Sequence, residues 1–192
     1  VDTDKLKKII INMRKHLIKK GADFIYNTAV DDILFSNGKI KGVRLSDGSD
    51  ICSEVVVLAI GHSARDTYKM LFDNKIFMEK KPFSVGFRIE HKREFIDKGR
   101  YGKYYNHPDL KSAEYQFSYR KGNRGCYTFC MCPGGTVVAA ASENDTVVTN
   151  GMSNFKRDDV NSNCAVVASV FPEDTGNELL SGIAFQQKLE KL

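Results

Sequence analysis

The 192-residue sequence predicts an α/β chain in two parts, α+β in the order of its elements. Residues 1–75 read as a helix, a parallel-type strand, a β-meander and a buried strand, and residues 76–192 as a mainly β region. Three observations carry this prediction. Leu6, Ile9, Ile10, Met13 and Leu17 recur at three- and four-residue spacing, which gives a helix one apolar face. Asn37-Gly38 and Asp47-Gly48 punctuate short β-like runs, and VVVLAI (residues 55–60) then follows as an apolar run without alternation. From Phe83 onward the runs lengthen and alternate.

Each element has a local cause. Asp2-Thr3-Asp4 supplies an N-cap and acidic residues for the first helix, and Lys19-Lys20-Gly21 supplies its C-terminal signal. Phe24-Ile25-Tyr26 reads as a parallel-type strand. Residues 29–35 and 40–45 read as a hairpin around Asn37-Gly38, and residues 50–52 as its third strand. A β-branched run such as residues 55–60 suits a central strand covered on both faces. It stops at Gly61, and residues 64–72 read as a short helix.

In the second part, FSVGFRIEH puts Phe83, Val85, Phe87 and Ile89 on one face and Arg88 and Glu90 on the other. The Arg88 and Glu90 side chains are close enough in this register to form an ion pair; the functional alternative is a charged surface toward substrate or a nicotinamide cofactor. Residues 93–99 read as a short helix and 101–108 as an aromatic-rich loop. Residues 114–120 and CYTFCMC form a hairpin, with further strands at 136–142, 146–149 and 165–171 and a helix from 182. Asn150-Gly151-Met152-Ser153 reads as a turn, the alternative being a site for a polar substrate group.

The net charge of +5 is spread over separate lysine clusters. No stripe of arginine interleaved with aromatics points to nucleic acid. No apolar run is long enough for a membrane span. Five cysteines at irregular spacing argue against a secreted disulfide framework and for the cytoplasm. Three of the five lie in CYTFCMCPGG. In a regular strand Cys126, Thr128, Cys130 and Cys132 share one face, and their spacing is wrong for zinc, so no metal is assigned. Pro133-Gly134-Gly135 then ends the strand and exposes backbone amides.

Five stretches together resemble a known group: VVVLAIGHSARDTYKML, KPFSVGFRIEH, TFCMCPGG, VVAAASE and TNGMS. Residues 3–66 are similar to the second half of a flavin-binding domain of the two-dinucleotide-binding, glutathione-reductase-like type. The chain as a whole resembles the uncharacterised FAD-dependent dehydrogenases of bacteria. The resemblance implies a partial FAD-binding domain over residues 1–75 and a β-rich substrate or cap domain over residues 76–192. It places the backbone of Val30 beside the adenine. Ala59 and Gly61 then fall near the nucleotide, and His62, Ser63 and Arg65 near the cofactor or the junction with the next domain. A satisfied loop histidine at position 62, and an Arg65–Asp66 pair across one helical turn, are the structural alternatives.

The resemblance is incomplete. The phosphate-cradling G-x-G-x-x-G, the acidic ribose-binding residue and the final Gly-rich segment near the flavin ring do not occur in these residues. The sequence is therefore expected to be an excised internal segment that holds FAD weakly by itself. Function follows as part of an FAD-dependent oxidoreductase with a small-molecule substrate and NAD(P)H as a candidate electron donor. Weak catalytic candidates are His62, Arg88, His91, Cys130 and Cys132. The alternatives are a cysteine-based metal or interaction module, or a flavoprotein acting on RNA.

Overall fold

A computed structural model describes residues 3–192, so the part of the expected cap that falls on Asp2 lies outside the described residues. Helix α1 spans Thr3–Lys19 and closes where Gly21 adopts φ +90°, with the Ala22 amide donating back to the Leu17 carbonyl. The apolar row predicted for this helix is present but lacks cover. Leu6, Ile9, Ile10, Met13 and Leu17 are 38–57 % exposed.

The meander forms as expected. Strands β1 (Val30–Ser36), β2 (Lys39–Leu45) and β3 (Asp50–Cys52) make an antiparallel sheet in that order. Asn37 and Gly38 both have positive φ, the requirement of the tight hairpin turn between Ser36 and Lys39. Ile33 and Leu45 supply its buried side chains.

The two flanking runs depart from expectation. Residues 24–26 and 55–60 have strand composition but no ladder, and no parallel pair occurs among the described residues. Strand propensity reflects packing on a pleated surface rather than an independent backbone preference. Without a neighbour, Val57 stands 84 % exposed.

After helix α2 (Arg65–Asp73) the architecture becomes a four-stranded antiparallel sheet. Its strands are β4 (Phe83–Lys92), β5 (Ser118–Lys121), β6 (Arg124–Cys132) and β9 (Asn161–Val170), in the order β4-β9-β6-β5. Helix α3 (Arg93–Tyr101) follows β4 directly, and β7 (Gly135–Ala139) pairs with β8 (Thr149–Ser153) as a separate ribbon. Helix α4 covers Ser181–Glu190.

Three expectations are corrected here. Residues 150–153 belong to strand β8 rather than to a turn, because each pairs across to β7. The outer half of β4 does not bury its apolar row: Phe87 is 83 % exposed, whereas Arg88 and His91 are half-buried. Only residues 118–120 of the run expected at 114–120 are strand, because the β5–β6 ladder pairs no further than Ser118 along that edge.

Strands β4 and β9 pair without a break from Phe83↔Val170 to Lys92↔Asn161. Within this ladder Gly86 lies against the opposing backbone, and a Cβ there would collide with the Val166 carbonyl oxygen and stand 2.7 Å from Val167 Cα. Neither atom belongs to a movable side chain. Gly86→Ala is expected to destabilise the protein by about 2 kcal/mol through overpacking, read as a lowered urea midpoint at unchanged slope.

Candidate functional site

The cysteine stretch CYTFCMC folds around an irregularity. Strand β6 pairs with β9 regularly from Cys126↔Ala168 to Phe129↔Ala165, and pairing resumes at Cys132↔Asn163. One extra residue is thus accommodated on β6, a β-bulge. Cys130 takes it up with φ +51°, a left-handed conformation uncommon for any residue but glycine. The bulge breaks the expected single face of Cys126, Thr128, Cys130 and Cys132. Cys130 turns to the surface, Cys132 is buried, and their Sγ atoms lie 4.0 Å apart. Pro133, Gly134 and Gly135 are also buried rather than exposing amides, and the Gly134 N–H donates to Ser162 Oγ at 3.0 Å.

Arg88 reaches this bulge from β4. Its Nη1 donates to Asn163 Oδ1 at 2.7 Å and to the Cys130 carbonyl at 3.2 Å. The expected Arg88–Glu90 pair is absent, because Glu90 accepts from Asn161 Nδ2 at 2.8 Å and from the Val137 N–H at 3.1 Å. Among the described residues no carboxylate pairs with Arg88. Asn163 is wholly buried, and its Nδ2 and the Nε of Arg88 have no hydrogen-bond partner among the described residues. Gly151 of β8 closes the cluster: any Cβ there would collide with Asn163 Oδ1, Arg88 Nη1 and Cys132 Sγ.

His91 lies farther along β4 and contacts the Tyr115 hydroxyl through Nε2 at 2.8 Å. Tyr115 stacks on Phe117 with centroids 5.3 Å apart, and burial, reinforced by Cys164 beside it, pushes its pKa up to about 12. A hollow of about 410 Å³ opens here, lined by Glu114, Tyr115, Thr128, Phe129, Cys130 and Met131. Burial also raises the Cys132 thiol above its ordinary value, and the neighbouring Cys130 adds to this. The site thus gathers four of the five catalytic candidates, Arg88, His91, Cys130 and Cys132. Tyr115, Asn163 and Cys164 were not singled out in the sequence.

His62 lies elsewhere. Its Nδ1 is 2.9 Å from Ser63 Oγ, and it borders a second hollow of about 200 Å³ with Tyr68, Lys80, Phe83 and Gln186. Gly61 has φ +69° with open space where a Cβ would stand, and its carbonyl accepts from the Tyr68 hydroxyl at 3.1 Å. Ala59 belongs to the unpaired apolar run, and Val30 opens β1 opposite Leu45. No hydrogen bond in the described residues joins Val30 to residues 59–63. Arg65 does not pair with Asp66, whose carboxylate accepts from the Thr67 N–H instead. Its guanidinium binds Glu143 at 2.7 Å and Glu190 at 2.6 Å, and Gln187 Nε2 donates to Glu143 as well. The Arg65 side chain is only 9 % exposed. Among the described residues no three His, Cys, Asp or Glu side chains gather as metal ligands, and no helix is long and apolar enough to cross a membrane.

The β-rich part of this chain is a domain found in FAD-dependent proteins. Residues 82–192 match the family described as FAD-dependent protein, C-terminal domain-like, and the chain belongs to that family. It is also 45 % identical over 195 residues to an uncharacterized protein of Clostridium beijerinckii, an alignment covering 100 % of this chain and 36 % of that protein. A shorter stretch of 64 residues is 41 % identical to phytoene desaturase (neurosporene-forming) of Rhodobacter capsulatus, covering 33 % of this chain and 12 % of that enzyme. The chain therefore spans about a third of the length of the first of these relatives.

The Arg65 cluster is testable now. Arg65→Ala leaves the Glu190 carboxylate without its partner, and a loss of about 3 kcal/mol is expected in urea denaturation. Arg65, first, and Gln187 hold the Glu143 carboxyl below its ordinary value of 4.5. A lowered folded pKa contributes stability that is present above 4.5 and lost as pH falls through the folded value. The variant's stability is accordingly expected to fall less steeply with acid below that pH.

Proposed function

We propose that this chain is an internal part of an FAD-dependent oxidoreductase. Residues 1–75 would form one wall of the FAD site, and residues 76–192 would form the substrate or cap side. The observation that carries this reading is the uncovered run at residues 55–60. Burying one large apolar side chain is worth about 1.5–3 kcal/mol, so a β-branched run and an apolar helix face that are both left in water are a poor end state. Neighbouring strands from the remainder of a longer protein would cover both. The run would then be a strand of a parallel sheet, with Gly61, His62 and Ser63 at its carboxyl end, where open α/β sheets bind ligands.

Gly61 suits that role because a cofactor can approach its bare backbone without meeting a side chain. Val30 would offer its backbone to the adenine. The residues fit one wall only. Among them there is no Gly-rich strand-to-helix turn to cradle a pyrophosphate. When bound, FAD would supply the transfer of the electron pair, with NAD(P)H as the proposed donor. The chain's own residues would position it and shape the substrate side. Assignment to the cytoplasm, with a small-molecule substrate and neither nucleic acid nor membrane as partner, belongs to the same proposal.

Titration with FAD separates the parts of this reading. The intact protein is expected to purify with flavin absorbance, and residues 1–192 alone to bind FAD at least about a hundredfold more weakly. Tight binding by residues 1–192 alone would overturn the one-wall assignment, and an intact protein with no affinity for FAD would overturn the flavin reading. In the intact protein Gly61→Val is expected to weaken FAD binding about tenfold or more, since it puts a β-branched side chain at positive φ against the cofactor.

A further inference from the structure

The bulge in β6 brings two thiols close together. In a regular strand, residues two apart sit near the upper limit of disulfide geometry. Here Cys130 leaves the pleat at φ +51°, and its Sγ is 4.0 Å from that of Cys132. Residues held in sparsely populated backbone regions are concentrated at functional sites, so this outlier is an observation from which function can be inferred.

The two thiols are not equivalent. Cys130 is exposed and lines the hollow of about 410 Å³, a size that admits a small molecule, together with the apolar walls of Tyr115, Phe129 and Met131. Cys132 is buried directly behind it. Arg88 stands at the same point with no carboxylate partner, donating to the Cys130 carbonyl and close against Cys132. Arg88 offsets part of the burial that raises the Cys132 thiol. The other cysteines lack this arrangement. Cys164 is buried with its thiol directed to the Phe129 and Ala165 carbonyls, and Cys52 and Cys126 are exposed outside the hollow.

We propose that Cys130 and Cys132 are a redox-active dithiol that reduces low-molecular-weight disulfides entering the Tyr115–Met131 hollow, with Cys130 attacking and Cys132 resolving. The Cys130 thiolate attacks one sulfur of the small disulfide, the S–S bond breaks, and the departing thiolate takes up a proton. Cys132 then loses its proton and attacks Cys130 Sγ in the mixed disulfide. The second small thiol leaves, and a Cys130–Cys132 disulfide remains. Two electrons pass from the protein pair to the small disulfide, so one exchange consumes two protein thiols and releases two small ones. The division of labour follows from placement: the exposed thiol meets the substrate, and burial keeps the second in reserve. This proposal does not depend on the flavin reading, because the dithiol reaction needs no cofactor.

The test uses the intact protein, reduced and then equilibrated with glutathione buffers of graded reduced-to-oxidised ratio. Free thiols are alkylated and located by peptide mass. With Cys126→Ser as background, so that no third thiol shares the peptide, oxidation is expected to leave that peptide lighter by two hydrogens and closed to alkylation. Cys52 stays open. Cys132→Ser is expected to accumulate a glutathione adduct on Cys130 at least about tenfold above wild type, since the resolving step is removed. Cys130→Ser is expected to accumulate none on Cys132. Cys130→Ala and Cys132→Ala serve in place of either variant whose circular dichroism or thermal transition departs from wild type. The proposal is overturned if the Cys126→Ser protein stays fully alkylated in oxidised glutathione. It is equally overturned if folded Cys132→Ser carries no more adduct on Cys130 than wild type does.

Discussion

The uninterrupted pairing of β4 with β9 is the constraint on which the other features depend. Ten residues of each strand pair in register, and β9 is also the partner of β6, so both edges of one strand are committed. A strand held on both sides cannot shift, because a one-residue slip would reverse every side chain. That fixes Ser162, Asn163 and Cys164 in the interior, where each must find a use for its polar atom. Ser162 meets the Gly134 amide, Asn163 meets Arg88, and the Cys164 thiol is directed to backbone carbonyls. The extra residue of β6 has to be accommodated against this fixed strand, and Cys130 is where it goes. Close approach at Gly86 and Gly151 follows from the same rigidity, since each glycine faces atoms that β9 holds in place.

Much of this was legible in the sequence, and the parts that were not share a cause. Helices α1, α2, α3 and α4 and the Asn37-Gly38 hairpin follow from local spacing and turn chemistry, which the folded chain cannot easily override. The bulge was not legible because CYTFCMC alternates without a glycine to mark the break. For Arg65 and Arg88 the nearest acid in sequence is one alternative, yet both pair with residues more than forty positions away or with backbone. Long cations reach whatever the tertiary packing offers, and spacing along the chain carries no information about that. Residues 55–60 are the opposite case. Their composition suits a central strand, but a strand exists only as a pairing, and the described residues provide no partner.

The two parts of the chain thus differ in self-sufficiency, and one cluster couples them. The sheet of residues 83–170 satisfies its own ladder, whereas α1 and residues 55–60 leave apolar surface uncovered. Arg65 stands two residues after Ser63 at the start of α2, and it is clamped to Glu190 of α4 and to Glu143 beyond β7. The turn at Gly61, His62 and Ser63 is therefore anchored through α2 to the region that the family match covers. A buried guanidinium bound to two carboxylates resists displacement, because moving any one group strands a charge away from water. If that turn is one wall of a flavin site, its position is set from the C-terminal side of the chain as much as from the sheet it terminates. A region that holds none of the expected cofactor contacts would in this way help set where the cofactor sits.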